Sequence, residues 1–586
     1  YNRYNFTARN TTHFLNDKLT LDIGAQYIVQ NNKNMVSQGQ YYNPLPSLYL
    51  FPRGDNFDEI RLYERYNTNY GYMEQYWPYG DASLSLQNPY WIQNRINRTS
   101  NKKRYMMNAS LKWQATDWLN VVGRVNLDNS DYRNKNEKSA STLTTFCGVS
   151  GGFEDAMRQE RSLYADFLAN IDKTFGDFHL TANVGASIYH TSMDQLYIAG
   201  DLVIPNFFQI NNINFSANYK PDPTGYEDEI QSIFASAELS WKNQLYLTVT
   251  GRNDWDSKLA FSKQKSFFYP SVVLSALLSE MVKLPEVISY AKIRGSYTVV
   301  ASSFDRFLTN PGYEYNSQTH NWANPTVYPM DNMKPEKTKS WEIGLNLKFW
   351  GNRFNLDATY YRSNTLNQTF KVDIPSSSGY KQAIVQAGNV QNQGIELALG
   401  FSDKWAGFGW SSNATFTLNR NKVKRLASGS VNPVTGEAIQ MDEMNVGWLG
   451  KENVAPRVIL TEGGSMTDIY VYNQLTKDNN GNIKVDQNGN LGITSSNTPV
   501  KVGNLDADFN LGWTNHFTYK GIDLGVVLSA RVGGLAYSAT QGILDYYGVS
   551  GTSATARDNG GIPINNGKVN AQKYYQTIGT GEGGYG

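Results

Sequence analysis

The chain has 586 residues, 53 Lys plus Arg against 52 Asp plus Glu, and a formal net charge of +1, so no charge imbalance points to nucleic acid or an acidic partner. Its mean hydropathy is -0.50 and no run of eighteen apolar residues occurs, which excludes a membrane-spanning helix but not a β-barrel, whose strands show lipid only every second residue. A single cysteine, Cys147, excludes an intrachain disulfide framework, and its Gly/Ser/Thr-rich surroundings give no nucleophile signature.

From its first residues the chain reads as strand. YNRYNFTARNTTHF has no charged leader followed by an apolar stretch, so no signal peptide is visible in it. Period-two alternation then gives about sixteen strand candidates, arranged in pairs. In chain order the pairs straddle short turns at residues 15–17, 115–117, 175–177, 242–244, 350–352, 403–407 and 519–521. A looser pair straddles 279–289. The clearest hairpin is SWEIGLNLKFWGNRFNLDATYYRSN. There Trp341, Ile343, Leu345, Leu347 and Phe349 share one face, and Glu342, Gly344, Asn346 and Lys348 share the other. Between pairs the connections are long, at 31–103, 130–161, 190–230, 301–336, 365–390 and 420–507, with 255–267 the shortest and 532–586 trailing the last strand.

Short turns alternating with long connections are the pattern of an antiparallel transmembrane β-barrel, which keeps short turns on the periplasmic rim and long loops outside. The apolar face then meets lipid and the polar face the lumen. A soluble sandwich would mix its loop lengths, and no repeat of about 40 residues supports a propeller. Aromatic residues crowd the short turns. Trp113 and Trp118 flank one, Phe175 and Phe178 the next, and Trp241 a third. Trp350 and Phe354, then Trp405 and Trp410, then Phe517 and Tyr519 flank the rest. These are expected to form a periplasmic girdle at the membrane–water boundary, where rings sit in the headgroup zone; ordinary cross-strand pairing is the competing reading.

Two ring clusters fall in long connections. Tyr76, Trp77, Tyr79, Tyr90 and Trp91 belong to a dense stretch over 63–91, and Tyr313, Tyr315, Trp322 and Tyr328 lie in 301–336. They are candidates for ligand or partner contact, against the alternative that the loops pack on themselves. TKDNNGNIKVDQNGNLG, at 476–492, spaces Asp478, Asn480 and Asn482 like calcium ligands, but its first Gly stands at the fourth place and no Glu closes the loop, so a hairpin turn is the stronger expectation. The five His residues have no metal-binding spacing, and neither a catalytic residue, a metal nor a cofactor is expected.

Several segments, among them NPYWIQNRINRTSNKKRYMMNASLKWQATDWLNVVGRVNLD, LYLTVTGRNDWDS, SFFYPSVVLSALLSE, MKPEKTKSWEIGLNLKFW, AGNVQNQGIELAL and GNLDADFNLGWTNHFTYKGIDLGVVL, resemble the SusC-like TonB-dependent transporters, in that family's order and over nearly the whole chain. The resemblance implies a barrel of about 22 strands with a plugged lumen, so roughly six strands, the plug and the TonB-contacting segment are expected outside this sequence. The strand directions agree: both ends of the visible set fall at the long-loop rim, and TIGTGEGGYG reads as loop. The resemblance further implies active import of a large nutrient, a glycan ahead of a peptide, across the outer membrane of a Gram-negative bacterium. Its partners would be a SusD-like surface lipoprotein lid, TonB, and outer-membrane lipid, with no nucleic acid. The competing expectation is a non-transporting barrel that serves as an assembly scaffold.

Overall fold

The structure, a computed structural model, describes residues 1–578 apart from 38, 40, 216–220, 311, 317–320, 331–332, 428–430, 433, 440 and 450–454. The terminal stretch from residue 579, expected to be loop, lies outside the described residues. Sixteen long strands follow the expected pairs: β1 (Asn2–Phe14), β2 (Leu19–Lys33), β3 (Ile96–Thr116), β4 (Leu119–Lys138), β5 (Gly152–Phe175), β6 (Phe178–Asp201), β7 (Asp222–Trp241), β8 (Leu245–Asp256), β9 (Phe267–Leu277), β10 (Ile288–Ser302), β11 (Glu336–Phe349), β12 (Phe354–Asp373), β13 (Gln382–Trp405), β14 (Phe408–Arg425), β15 (Phe509–Tyr519) and β16 (Ile522–Val532). The sheet counts seventeen strands because Val327–Tyr328 adds a two-residue parallel pairing with Gln382 and Ala383.

The short turns form where the backbone can reverse tightly. Two-residue hairpin turns whose twist matches the strands need positive φ at both central positions. Ala406 and Gly407 have φ of 43° and 90°, and Lys520 and Gly521 have 45° and 87°. Glycine accepts the left-handed conformation without steric cost at the second position of each.

The chain divides into two compact units. The first comprises Tyr1–Leu168, Ala186–Gln231 and Tyr313–Asn324. In it β1, β2, β3 and β4 pair antiparallel in sequence, with Phe14 opposite Leu19, Leu19 opposite Trp113 and Trp113 opposite Val121. Outside the sheet, in the connection after β2, Trp91, Ile60 and Leu84 are fully buried, as is Ile96 at the start of β3. Asn88 locks that fold: its Oδ1 accepts from Tyr90 N at 2.9 Å, and its Nδ2 donates to Ile60 O at 2.8 Å and to Tyr76 O at 2.9 Å.

The second unit comprises Ala169–Gly185, Ser232–Gly312 and Pro325–Gly586. Its strands β8 to β16 pair antiparallel, β10 with β11 and β14 with β15 across long connections. The connection between β14 and β15 carries its own four-stranded sheet, Glu443–Trp448, Arg457–Thr461, Asp468–Leu475 and Ile493–Asn504. Arg457 is sandwiched there between the rings of Trp448 and Tyr472, at 3.7 and 4.0 Å. Three helices after β16 (Ala539–Tyr546, Gly551–Asp558 and Ala571–Ile578) follow, and Leu491 packs with Ile564 and Val569.

The paired segments are longer than alternation indicates. β5, β6 and β13 each run 24 residues, where membrane-crossing stretches of about ten to thirteen are expected. The connection after β2 therefore ends at Arg95, not near residue 103, and β4 continues to Lys138, not 130. The reason is physical. Away from the apolar band both faces of a strand are polar, so the period-two signal disappears while the hydrogen-bonded ladder continues.

Candidate functional site

The strand residues sort into two faces of opposite character. In the second unit the register sets Ile293 opposite Leu345, Leu345 opposite Ala358, and Ala358 opposite Leu397. This apolar face is left open: Ile343 is 54% exposed and Leu399 51%. The corresponding face in the first unit presents Ile23, Met107, Leu111 and Val125. A contiguous apolar sheet face of this kind marks a surface that meets something other than water.

The opposite face is built from charge pairs. Arg294 Nη2 lies 3.1 Å from Asp357 Oδ1 and donates to Thr359 Oγ1 at 2.6 Å, and Asn346 Nδ2 donates to Asp357 Oδ2 at 3.0 Å. Arg294 sits on β10 and Asp357 on β12, so the guanidinium crosses β11 over Gly344. A Cβ there would come within 2.5 Å of Arg294. In the first unit Arg124 forks onto Asp166 at 2.9 and 2.7 Å, Arg9 onto Asp22 at 3.1 and 2.9 Å, and Arg104 pairs with Asp128. Planar two-point pairing holds charges on a hydrated surface with defined geometry. Alternation reveals these residues as polar; which of them pair depends on register and was not legible.

The turn aromatics come together in the second unit. Ring centroids link Trp350 to Phe354 at 5.2 Å, Phe354 to Phe401 at 4.7 Å, Phe401 to Trp410 at 4.9 Å, and Trp410 to Phe517 at 6.2 Å. Trp405 and Phe408 extend this strip beside the turn they flank, with Tyr519 opposite Phe408 in the ladder. Indole N–H groups find acceptors: Trp410 Nε1 donates to Asn515 Oδ1 at 3.1 Å. Phe175 stacks on Phe178 at 6.0 Å, and Trp241 lies under Lys242. Trp113 and Trp118 are exposed beside theirs.

The loop candidates divide. Trp91 follows the self-packing alternative: it is 0% exposed, and its Nε1 donates to Thr142 Oγ1 at 3.1 Å. The sequence places it two residues after Pro89 in a helix, Pro89–Arg95, whose buried side its ring fills. Trp77 packs on Tyr79 and Tyr79 on Phe51, while Arg65 covers Tyr76 and Phe57 contacts Tyr90. Tyr328 packs edge-on against Tyr380 at 5.2 Å. By contrast Tyr313 and Trp322 are 67% and 68% exposed, and Tyr315 contacts Trp322 at 5.2 Å across a hairpin (Glu314–Asn316 with Asn321–Ala323). In the same ring-dense stretch Tyr70 stacks on Tyr72 at 5.6 Å.

In the stretch 476–492 two successive turns have one design. Asp478 Oδ1 accepts from the backbone N–H of Asn480 and Asn482, at 2.8 and 2.9 Å. Asp486 repeats this with Asn488 and Asn490 at 2.8 and 2.7 Å. The backbone amides engage Oδ1 of each aspartate, and the antiparallel bridges Lys477 to Ile483 and Val485 to Leu491 make each turn a hairpin. Cys147 is buried, which pushes its thiol up to about 11.

The profile of the family described as TonB dependent receptor-like, beta-barrel matches residues 40–450, well over half of the sequence. The chain belongs to that family. It is similar to TonB-dependent receptor P3 of Formosa agariphila (23% identity, 67% of this chain, 41% of that one) and to TonB-dependent receptor SusC of Bacteroides thetaiotaomicron (25% identity, 56% and 34%). In fold it is similar to the structure of the RagAB peptide importer in the open-open state, with a TM-score of 0.68 at 14% identity, over 91% of this chain and 57% of that one. The chain thus spans about two-fifths of the first curated relatives it matches. Membership in the TonB-dependent receptor family gives the two-faced sheet its setting: in such a barrel one strand face meets lipid and the other the interior.

Proposed function

We propose that the chain supplies much of the barrel wall of a TonB-dependent importer in the outer membrane of a Gram-negative bacterium, taking up a nutrient too large for porins. The observation that supports this most is the pairing of an open apolar face with a face of Arg–carboxylate pairs on the same strands. Such a wall is rigid, hydrated inside and lipid-compatible outside. The long connections would lie outside the cell and the short turns in the periplasm. The aromatic strip along those turns would sit at the inner headgroup zone.

The nutrient we favour is an oligosaccharide. Tyr313, Tyr315 and Trp322 are open, and aromatic faces stack on sugar rings. A SusD-like lipoprotein would cover the outer mouth, and energy would arrive through TonB by way of a plug. The wall residues carry no chemistry of their own in this scheme. The test is growth of the native organism with the full-length gene deleted. Loss of growth on one polymeric glycan, with growth on its monosaccharides intact and the same defect in cells without TonB, is expected. Loss confined to peptide use would replace the glycan assignment, and undiminished uptake of both with disturbed surface assembly would favour the scaffold reading.

A further inference from the structure

The four-stranded sheet in the connection between β14 and β15 has two unlike faces. Met444 and Leu460, opposite each other in the ladder, pack on the core built by Phe370, Val372 and Val385. Arg457, three residues before Leu460, alternates onto the other face. Trp448 stands four residues after Met444 and in a regular strand would share its core side. A bulge, where the register shifts between Asn445 and Gly447, turns it over to face Arg457, its direct partner. On the third strand Tyr470 is opposite Arg457, and Tyr472, two residues on, keeps the same face.

The result is a guanidinium with a ring on either side, its Cζ 3.7 Å from the Trp448 centroid and 4.0 Å from that of Tyr472. Among the described residues none accepts a hydrogen bond from the Arg457 side chain or forms an ion pair with it, and its Nε is buried without a partner. The carboxylate of Asp468, on the same strand as Tyr470, is already held by Lys501 Nζ at 2.6 Å and Asn504 Nδ2 at 2.9 Å. Buried donors are ordinarily bonded, so a fork left open between two rings calls for an acceptor from outside the fold. Arg457, Trp448 and Tyr472 are each half-buried, which leaves a way in.

The shape of the opening selects the ligand. Both faces of the guanidinium are covered, so an anion can approach only along its edge, in its own plane. A carboxylate is planar and pairs with such a fork at two points. A sulfate or phosphate is tetrahedral, and its remaining oxygens would stand against the rings. Resting on the importer reading above, we propose that Arg457, held between Trp448 and Tyr472, is a recognition site for a carboxylate on the imported nutrient. A uronate of an acidic oligosaccharide and the C-terminus of a peptide both carry that group.

The test applies the full-length protein, purified in detergent, to an array of uronate-bearing oligosaccharides, their methyl esters, sulfated and neutral counterparts, and peptides ending in a carboxylate or an amide. The wild type should hold free-carboxylate members about tenfold more tightly than their esters or amides, the worth of one two-point ion pair. Arg457→Gln should lose that preference. Arg457→Lys, which keeps a charge between the rings without the fork, should keep only part of it. Strand circular dichroism of all three proteins checks that the variants are folded. Preference for uronates would name an acidic glycan and preference for free peptide C-termini a peptide, and either supports the carboxylate site. No preference in the wild type, retention of sulfated members alone, or a preference undiminished in Arg457→Gln would overturn it. The importer reading is untouched by these results, since it stands or falls with TonB-dependent growth on the polymer.

Discussion

At the scale of single residues, the surroundings of a strand side chain depend on which way it points. Leu345 and Leu347 belong to the apolar face, while Asn346 donates to Asp357 on the other. Arg at either leucine should cost about 2–4 kcal/mol in bilayers, and Asn346→Arg much less, because an added cation there stays hydrated beside a carboxylate. Equilibrium folding of the full-length barrel into vesicles measures this, and equal costs at all three positions would mean that both faces meet the same surroundings. Gly344 gives a second check. Gly344→Ala puts a methyl against the Arg294 guanidinium and should destabilise by about 1–3 kcal/mol. With Arg294→Ala already present the penalty should largely disappear, since the group it strikes is gone. Facing was legible in the sequence at these positions, because period two is a local property. Partnership was not: that Arg294 passes over a neighbouring strand to reach Asp357 depends on register across three strands. The choice between the two readings of Trp91 was not legible for a related reason. A ring-dense loop looks the same in sequence whether its rings point outward or build a private core, and its fully buried position is set by the packing around Asn88.

At the scale of elements, the turns were nearly all legible and the strand ends were not. Gly407 and Gly521 announce their hairpins through backbone chemistry, and alternation marks the band between them. Beyond that band the ladders continue through segments such as Lys102 to Ile96 with no periodic signal. Orientation of these elements can be tested on intact cells in a Cys147→Ser background, with cysteines at Asn480 in a long connection and at Asn352 or Lys520 in the short turns. An impermeant maleimide is expected to label the first and spare the others. Cys147 itself should resist alkylation in the native protein. With its thiol pushed up to about 11, thiolate at pH 7.5 is fewer than about one in a thousand, and labelling should appear only on unfolding. The paired turns at Asp478 and Asp486 give a pH expectation. The backbone N–H groups of Asn482 and Asn490 hold these carboxylates below the usual range. Their contribution is complete above the unfolded carboxylate value and is lost as pH falls through the lowered folded one. Protection factors at Asn482 and Asn490, each taken against the intrinsic exchange rate at the same pH, should therefore fall on acidification, and Asp478→Ala should lower the factor at Asn482 already at neutral pH.

At the scale of the whole molecule, family membership and the two-faced sheet reinforce each other. Composition alone, with its polar mean hydropathy, conceals a membrane protein because lumen face and connections outweigh the lipid face. The fold class was legible nonetheless, since short and long connections alternate along the entire chain. The identity of the nutrient was not, because the rings that would recognise it stand on connections whose packing the sequence does not encode locally. The most direct measurement is spin-label accessibility at each position from Trp341 to Leu347 in the full-length protein reconstituted in bilayers. Oxygen accessibility should peak at 341, 343, 345 and 347, and accessibility to a water-soluble nickel complex at 342, 344 and 346. Absence of alternation, or nickel access at the odd positions, would contradict a sheet with one face in lipid and the other lining a hydrated interior.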